Sequence, residues 1–145
     1  MAEEKINILI VEDNPVDILM TERALMNLEI AYRLTVVRNG EQVLDYLSKQ
    51  CSRVDQPDLL ILDLNLPKRT GMEILEIVHQ NRDLFRPFIA IVTTSKSSDE
   101  LKRCSDLGAQ IVITKPDDFE NYQQAIHSVV ECYYEFLQKS YGTQA

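Results

Sequence analysis

Acidic residues follow two of the short apolar runs in this sequence, directly after the last residue of each run. Glu12 and Asp13 come after the run 6–11, and Asp63 comes after the run 59–62. If both runs are buried strands of one parallel sheet, their carboxyl ends meet at one edge and bring three carboxylates together. Two carboxylates about 4 Å apart repel by roughly 4 kcal/mol at an effective dielectric constant of about 20. A proton or a hard divalent cation must relieve this repulsion, and oxygen ligands suit Mg²⁺ or Mn²⁺.

Two further apolar runs end in polar side chains of complementary chemistry, Thr93 and Lys115. Phosphoryl transfer needs a nucleophile, a cation and donors that neutralise the charge on the phosphoryl oxygens. We therefore predict that Asp63 is the phosphoacceptor and that Asp13 and Asp63 bind the metal directly. Glu12 is predicted to act through water, while Lys115 and the Thr93 hydroxyl pair with phosphoryl oxygens.

Each of these residues, taken alone, also has a simple structural explanation. An acidic residue after a strand commonly caps the next helix, and a hydroxyl or a Lys-Pro pair commonly ends a strand. It is improbable that all of these explanations apply at once, because the four strand ends supply groups that complement one another in phosphoryl transfer. The combination favours a phosphoryl-accepting site over a set of unrelated caps.

The apolar runs alternate with segments of helical period, which predicts an α/β fold of five βα units around a doubly wound parallel sheet. The predicted strands are 6–11, 32–37, 59–62, 88–92 and 111–114. The predicted helices are about 16–28, 41–48, 72–81, one capped at 97–100 that stops at Gly108, and 118–139. Segment 49–58 is predicted to be a loop. The core face of the first helix is predicted to carry Ile18, Leu25 and Met26, and that of the last helix Phe119, Tyr122, Ile126, Val129, Tyr133 and Leu137.

The composition indicates a single domain over residues 1–145, with 45% hydrophobic residues and a net charge of -8. The negative charge argues against direct binding to nucleic acid or an anionic lipid surface. No apolar stretch approaches the roughly 18–20 residues that span a bilayer, and the first residues lack the pattern of a secretory signal. The three cysteines are widely spaced and odd in number, which predicts reduced thiols and no zinc site. These features predict a cytoplasmic location.

Four motifs together resemble the receiver domain of response regulators. They are Ile-Leu-Ile-Val-Glu-Asp-Asn at 8–14, Leu-Asp-Leu-Asn-Leu-Pro at 62–67 followed by Gly71, Val-Thr-Thr-Ser at 92–95 and Thr-Lys-Pro at 114–116. The resemblance implies a flavodoxin-like (βα)₅ fold with strand order 2-1-3-4-5. It implies that Asp63 accepts a phosphoryl group from the histidine of a sensor kinase. By this resemblance, the metal-binding positions of the family are Glu12, Asp13, Asp63 and the Asn65 backbone carbonyl. Thr93 falls at the position of the switch hydroxyl, and Lys115 at that of the cation that pairs with the phosphate. The peptide bond before Pro116 is implied to be a candidate for the cis form.

Within that family, the sequence resembles the small regulators that pair with cyanobacterial and bacterial phytochromes. The resemblance rests on Glu-Asp-Asn-Pro-Val-Asp at 12–17, on the stretches 38–47 and 63–67, on the polar insert 51–58 and on Thr-Thr-Ser at 93–95. It implies a phytochrome as the sensor kinase. One position departs from the family: Val112 stands where receivers usually carry an aromatic residue that takes part in the switch. We therefore expect the signal to pass mainly through Thr93 and the backbone of the loop that follows it.

The last helix carries more apolar residues than one core contact requires. No effector domain follows it in this sequence, so the output is expected to be a change in a protein–protein interaction. A second apolar stripe on the helix predicts a surface for a homodimer or another protein partner. The alternative is that this stripe only covers the edge of the core. The members of the stripe are Val130, Tyr134, Leu137 and Tyr141.

Two readings from other functional classes are weaker. A magnesium-dependent phosphohydrolase acting through an aspartyl-phosphate usually needs a second carboxylate two residues after the nucleophile, and that position is Asn65. A flavin-binding protein needs a phosphate-binding loop rich in Gly, Ser or Thr, and Glu12 and Asp13 would repel that anion. The sequence thus favours a phosphoryl-accepting signalling module, whose only chemistry is on itself, over an enzyme.

Overall fold

The computed structural model describes residues 5–49 and 56–142, and over these ranges five strands alternate with five helices. The strands are β1 (Ile6–Val11), β2 (Tyr32–Val37), β3 (Leu59–Leu62), β4 (Phe88–Thr93) and β5 (Ile111–Thr114). The helices are α1 (Pro15–Met26), α2 (Gly40–Lys49), α3 (Gly71–Gln80), α4 (Ser98–Asp106) and α5 (Phe119–Gly142). All five predicted strands are confirmed, and β4 extends one residue further than predicted. Most of the predicted loop 49–58 lies outside the described residues.

The strands form one parallel sheet in the order β2-β1-β3-β4-β5, which confirms the predicted topology. Because β1 lies between β2 and β3, the chain leaves β1 toward one side of the sheet and later crosses to the other. This reversal opens a crevice beyond the carboxyl ends of β1 and β3. The acidic residues that follow these two strands therefore share one edge of the sheet.

The helices cover both faces of the sheet, and each face has its own apolar core. Helices α1 and α5 pack on one face, where Leu25, Tyr122 and Ile126 are buried. Helices α2, α3 and α4 pack on the other, through the core positions Val43, Leu47, Ile74, Leu75, Val78 and Cys104. Among the described residues, no helix has both the length and the apolar composition to cross a membrane.

Two of the predicted core positions on helices are wrong. Met26 is 72% exposed, because it follows the buried Leu25 and one step along a helix turns the side chain by about 100°. Phe119 is 41% exposed because it is the first residue of α5 and precedes the buried turns of that helix. The later core positions Tyr122, Ile126, Val129 and Tyr133 are buried as predicted.

Polar residues fix the helix ends that surround the functional edge. The Asn14 side chain caps α1 by accepting hydrogen bonds from the N–H groups of Val16 and Asp17. Ser97 caps α4 as predicted, and Gly108 after that helix has a φ of 100°, in the left-handed region that glycine adopts without strain. These caps set where each helix begins or ends relative to the strands.

Candidate functional site

Three of the predicted site residues are held by backbone hydrogen bonds that continue the sheet one residue past a strand. The N–H groups of Glu12, Asp63 and Lys115 each donate to a carbonyl of the neighbouring strand. The bonds are Glu12 N to Val37 O (3.1 Å), Asp63 N to Val11 O (3.1 Å) and Lys115 N to Thr93 O (2.7 Å). The backbone is therefore fixed at the point where these side chains enter the crevice.

The Lys115 ammonium lies at the centre of the site and contacts three carboxylates. Its Nζ is 2.7 Å from Glu12 Oε2, 2.7 Å from Asp17 Oδ2 and 3.2 Å from Asp63 Oδ2. An ammonium has three N–H donors, so all three are used. Burial alone lowers the pKa of Lys115, but the hydrogen bonds to Asp17 and Glu12 outweigh it and the net pKa is raised. The side chain, only 6% exposed, therefore remains a fixed positive charge.

Glu12 is the carboxylate that the site perturbs most. Burial raises its pKa from 4.5 to about 7, and the charge of Asp63 adds to this effect. The hydrogen bond from Lys115 lowers the pKa but does not compensate for burial. Burial therefore favours the protonated form of Glu12 even beside the Lys115 ammonium.

The acidic cluster offers oxygen ligands at a spacing that suits a divalent cation. Glu12, Asp13 and Asp63 each present a carboxylate oxygen, and these atoms all lie within 4.8 Å of one another. Asp13 is exposed, whereas Glu12 and Asp63 are buried, so the cluster opens to solvent on one side. Hard oxygen donors and an excess of negative charge fit Mg²⁺ or Mn²⁺. A cation in this cluster would favour the charged form of Glu12, which burial and, to a smaller extent, the charge of Asp63 disfavour.

Asn65 and Thr93 lie at the same edge, and a hydrogen bond from Asn65 joins the loop after β3 to the loop after β4. The Asn65 N–H donates to Asp63 Oδ1 (3.2 Å), and its side-chain amide donates to the Thr94 hydroxyl (3.2 Å). The Thr93 hydroxyl is fully buried and accepts a hydrogen bond from the Ser95 N–H (3.2 Å). A role for the Asn65 carbonyl toward metal and for Thr93 toward a phosphoryl group stays a prediction.

The predicted cis bond before Pro116 is wrong. No cis peptide bond occurs in the described ranges, so the Lys115–Pro116 bond is trans. Proline reduces the preference for trans to about 0.5–1 kcal/mol without reversing it, so trans is the ordinary outcome.

Asp17 belongs to the site, although sequence reasoning assigned it no role. It lies in the first turn of α1, and its side chain is 14% exposed beside Lys115. The signal was available: a helix that follows a strand begins at the edge where that strand ends, so an acid in its first turn faces the same crevice. The prediction considered only residues that leave the strands directly.

Gly71 allows the first turn of α3 to approach the backbone of the phosphoacceptor position. A Cβ atom at Gly71 would lie 2.2 Å from the Asp63 carbonyl oxygen and 2.6 Å from Leu64 Cα. The Gly71 N–H also donates to the Leu64 carbonyl (2.9 Å). The loop after β3 therefore closes only with a glycine at this position.

The predicted dimer face on α5 is only partly exposed. Val130 is 3% exposed and belongs to the core between α5 and the sheet, so its assignment to a contact surface is wrong. Leu137 packs against the same core, while Tyr134 is 37% exposed. Tyr141 lies in the last turn of the helix, and its side chain is outside the described part of the chain. Tyr134 is the residue of the stripe for which the structure supports an exposed position.

The comparisons with known proteins agree with this geometry. Residues 8–127 match the model of the response regulator receiver domain family. Response regulator Rcp1 of Synechocystis sp. is 30% identical over 124 residues, which cover 84% of each chain. The crystal structure of Mn²⁺-bound Rcp1 superimposes with a TM-score of 0.77 at 29% identity, covering 85% of this chain and 90% of that chain. The phosphorylated cyanobacterial phytochrome response regulator RcpA gives a TM-score of 0.81 at 30% identity, covering 90% and 95%.

The fold, the acidic crevice with its buried lysine and the family match lead to the same assignment. The match covers most of the chain, from β1 into α5. It contains Asp13, Asp63 and Lys115, together with the additional acid Asp17. This chain belongs to the response regulator receiver domain family, and it is similar to response regulators of phytochromes.

Proposed function

We propose that this protein is a two-component response regulator that accepts a phosphoryl group on Asp63 from the histidine of a sensor kinase in the cytoplasm. The observation that carries the proposal is the crevice itself. A buried ammonium lies 3.2 Å from the Asp63 carboxylate, and two further acids of the same cluster offer metal ligands beside it. Phosphorylation then changes an interaction face of the protein, and the chemistry is confined to the protein itself.

The covalent step in this proposal is a transfer between two side chains. An oxygen of the Asp63 carboxylate attacks the phosphorus atom, and the bond from phosphorus to the donor nitrogen breaks as the acyl phosphate forms. Lys115 pairs with a phosphoryl oxygen through the donor that now reaches Asp63. Glu12, Asp13, Asp63 and the Asn65 carbonyl would hold Mg²⁺ or Mn²⁺, which neutralises charge on the phosphoryl oxygens. A water molecule later attacks the phosphorus atom, which breaks the bond to the Asp63 oxygen, releases inorganic phosphate and returns the carboxylate.

A surface on α1 supports a protein as the phosphodonor. Val16, Leu19 and Met26 are 62%, 48% and 72% exposed, and their spacings of three and seven residues place them on one face of the helix. The helix begins two residues after Asp13, so Val16, the first residue of this apolar face, is only three residues along the chain from the acidic cluster. A histidine-bearing domain that packs on this face would present its phosphoryl group to Asp63.

A phytochrome is the sensor kinase that we propose as the physiological donor. The support is the similarity to Rcp1 and RcpA, the second of which is a phytochrome response regulator. We further propose that the protein forms a homodimer through α5.

Intact-mass spectrometry with acetyl phosphate tests the phosphoryl-accepting function directly. The wild-type protein is incubated with Mg²⁺ or with EDTA, beside the Asp63→Asn variant, which keeps the size of the side chain but removes the nucleophile. We expect one phosphoryl adduct in wild type with Mg²⁺ and none in EDTA or in Asp63→Asn. A metal-dependent adduct that persists in Asp63→Asn would place the acceptor elsewhere, and no adduct in any sample would refute the proposed function.

A further inference from the structure

Asp17 is the partner of Lys115 that the proposed function leaves unexplained. Its Oδ2 is as close to Lys115 Nζ as Glu12 Oε2 is, at 2.7 Å, and closer than Asp63 Oδ2 at 3.2 Å. It is absent from the group of carboxylate oxygens that lie within 4.8 Å of one another. Asp17 is therefore neither a member of the metal cluster nor the phosphoacceptor.

The number of donors on Lys115 determines what must happen when Asp63 is phosphorylated. All three N–H donors are engaged, so a phosphoryl oxygen can be paired only if another bond is given up. Glu12 and Asp63 belong to the acidic cluster and gain other partners there, namely a cation and the phosphoryl group. Asp17 has no such alternative, so its bond is the one that Lys115 keeps.

Asp17 also connects the ammonium to two helices. Its N–H is held by the Asn14 cap (3.4 Å), and its carbonyl accepts a hydrogen bond from the Thr21 hydroxyl (2.8 Å). The Thr21 hydroxyl is in turn hydrogen-bonded to the hydroxyl of Tyr122 in α5 (3.3 Å). Both Thr21 and Tyr122 are buried at 2% exposure, so a shift of the first turn of α1 reaches α5 without passing through solvent.

We propose that Asp17 is a positioning residue that holds Lys115 in both states of the switch and carries the movement of its ammonium through α1 to Tyr122. This inference rests on the proposed function, because it needs a phosphoryl group on Asp63 to draw the ammonium. It supplies a route from the site to α5 in a chain that has Val112 at the position where receivers usually carry an aromatic residue. The route runs along the α1–α5 side of the sheet, whereas Val112 packs against the core on the other side.

Nuclear magnetic resonance of the full chain tests the route with Mg²⁺ and beryllofluoride, a stable mimic of the phosphoryl group. The Asn65 amide reports binding at the site, because its N–H contacts Asp63 Oδ1. The ring signals of Tyr122, identified among six tyrosines with Tyr122→Phe, report the arrival of the change at α5. In wild type we expect beryllofluoride to shift both sets of signals.

Asp17→Asn removes the charge that holds Lys115 but leaves the backbone carbonyl that Thr21 contacts. We expect this variant to keep the Asn65 shift and to lose the Tyr122 shift. The matched control is Asp99→Asn, which removes an acid from the first turn of α4 that is not among the carboxylates paired with Lys115, and it should behave as wild type. A merely structural role for Asp17 would alter the resting spectrum without uncoupling the two responses.

Thr21→Val provides a second test that leaves the crevice intact, since valine replaces the hydroxyl link by a group of the same shape. It should also lose the Tyr122 shift, and it decides the question if Asp17→Asn does not fold. A wild-type Tyr122 shift that persists in either variant, or a Tyr122 that never responds in wild type, overturns the inference while the Asn65 shift still supports the proposed function. A wild type in which Asn65 does not respond at all counts against both.

Discussion

At the scale of single residues, Glu12 determines how the metal-free site responds to pH. Its pKa in the folded protein is raised to about 7 from 4.5, mainly by burial. A carboxyl group with a raised pKa binds its proton more tightly in the folded state than in the unfolded state. The free energy of unfolding therefore falls as the pH rises from about 4.5 to about 7, because in this range the folded state keeps the Glu12 proton and the unfolded state has released it.

We expect Glu12→Gln to remove this loss of stability in the presence of EDTA. Below the lower pKa the variant and wild type should unfold with similar free energies, because glutamine resembles a protonated glutamate. Above the upper pKa the variant should be more stable by a few kcal/mol, since each pH unit between the two pKa values contributes about 1.4 kcal/mol. Urea unfolding across this pH range measures the difference. A difference that does not change with pH would contradict the assignment, and added Mg²⁺ should reduce it.

The residues at the strand ends were predictable because their positions follow from the strands. Apolar runs that end in Asp63, Thr93 and Lys115 fix both the strand limits and the edge at which the polar groups meet. The role of Asp17 was not predicted, because it depends on where the first turn of α1 lies in three dimensions. The sequence also could not determine whether the peptide bond before Pro116 is cis or trans, since proline permits both isomers.

At the scale of secondary-structure elements, the junction between β3 and α3 positions the phosphoacceptor. We expect Gly71→Ala to destabilise the protein by about 1–3 kcal/mol, because the added Cβ would overlap the Asp63 carbonyl oxygen. Because the backbone must move at Asp63 itself, the rate of adduct formation with acetyl phosphate should also fall. Urea unfolding and intact-mass spectrometry measure the two effects.

Gly108→Ala is the matched control for this junction. It introduces strain at a φ of 100°, but the new Cβ would meet only His79 Nδ1 at an ordinary distance of 3.7 Å, away from the crevice. We expect it to lose stability by a similar order while keeping the wild-type rate of adduct formation. If adduct formation slows equally in both glycine variants, general destabilisation rather than the position of Asp63 accounts for the effect.

The exposed apolar face of α1 predicts a difference between protein and small-molecule donors. We expect the combined change of Val16, Leu19 and Met26 to serine to slow phosphoryl transfer from a phosphorylated phytochrome kinase at least tenfold, since apolar contact area is lost. The rate with acetyl phosphate should be unchanged, because none of the three side chains is among the hydrogen-bonding partners of Lys115 or Asp63. Equal losses with both donors would show that the face acts on the site and not on the donor.

Helix faces were less predictable than strands for a geometric reason. In a buried strand every residue of the apolar run is covered, as in β3 and β4. On a helix, a step of one residue decides between core and solvent, and this step separates buried Leu25 from exposed Met26. The same geometry places Val130 in the core between α5 and the sheet, although its spacing of four residues from Tyr134 predicted that both lie on the exposed face of the helix.

At the scale of the whole molecule, a groove between α5 and the segment after α1 offers a self-complementary surface. The groove has a volume of about 290 Å³, and its lining contains both apolar and acidic residues: Leu28, Ile30, His127, Val130, Glu131, Tyr134, Glu135 and Gln138. In a two-fold dimer the same patch meets itself, so Tyr134 of each copy can enter the groove of its partner. An aromatic side chain that fills an apolar pocket is a common centre of binding energy at interfaces. This arrangement supports a homodimer through α5, with Tyr134 in place of the buried Val130 as its central contact.

We expect light scattering at tens of micromolar to give a dimer for wild type and a monomer for Tyr134→Glu, because the new carboxylate would be buried beside Glu131 and Glu135 of the groove. Phe136→Glu is the matched control: Phe136 is 43% exposed on the same helix but lies about 200° around its axis from Tyr134. This control should remain dimeric. A wild type that is monomeric with and without beryllofluoride would refute the dimer. A dimer lost in Phe136→Glu but kept in Tyr134→Glu would move the interface to the opposite side of α5, where Phe136 packs on Phe88.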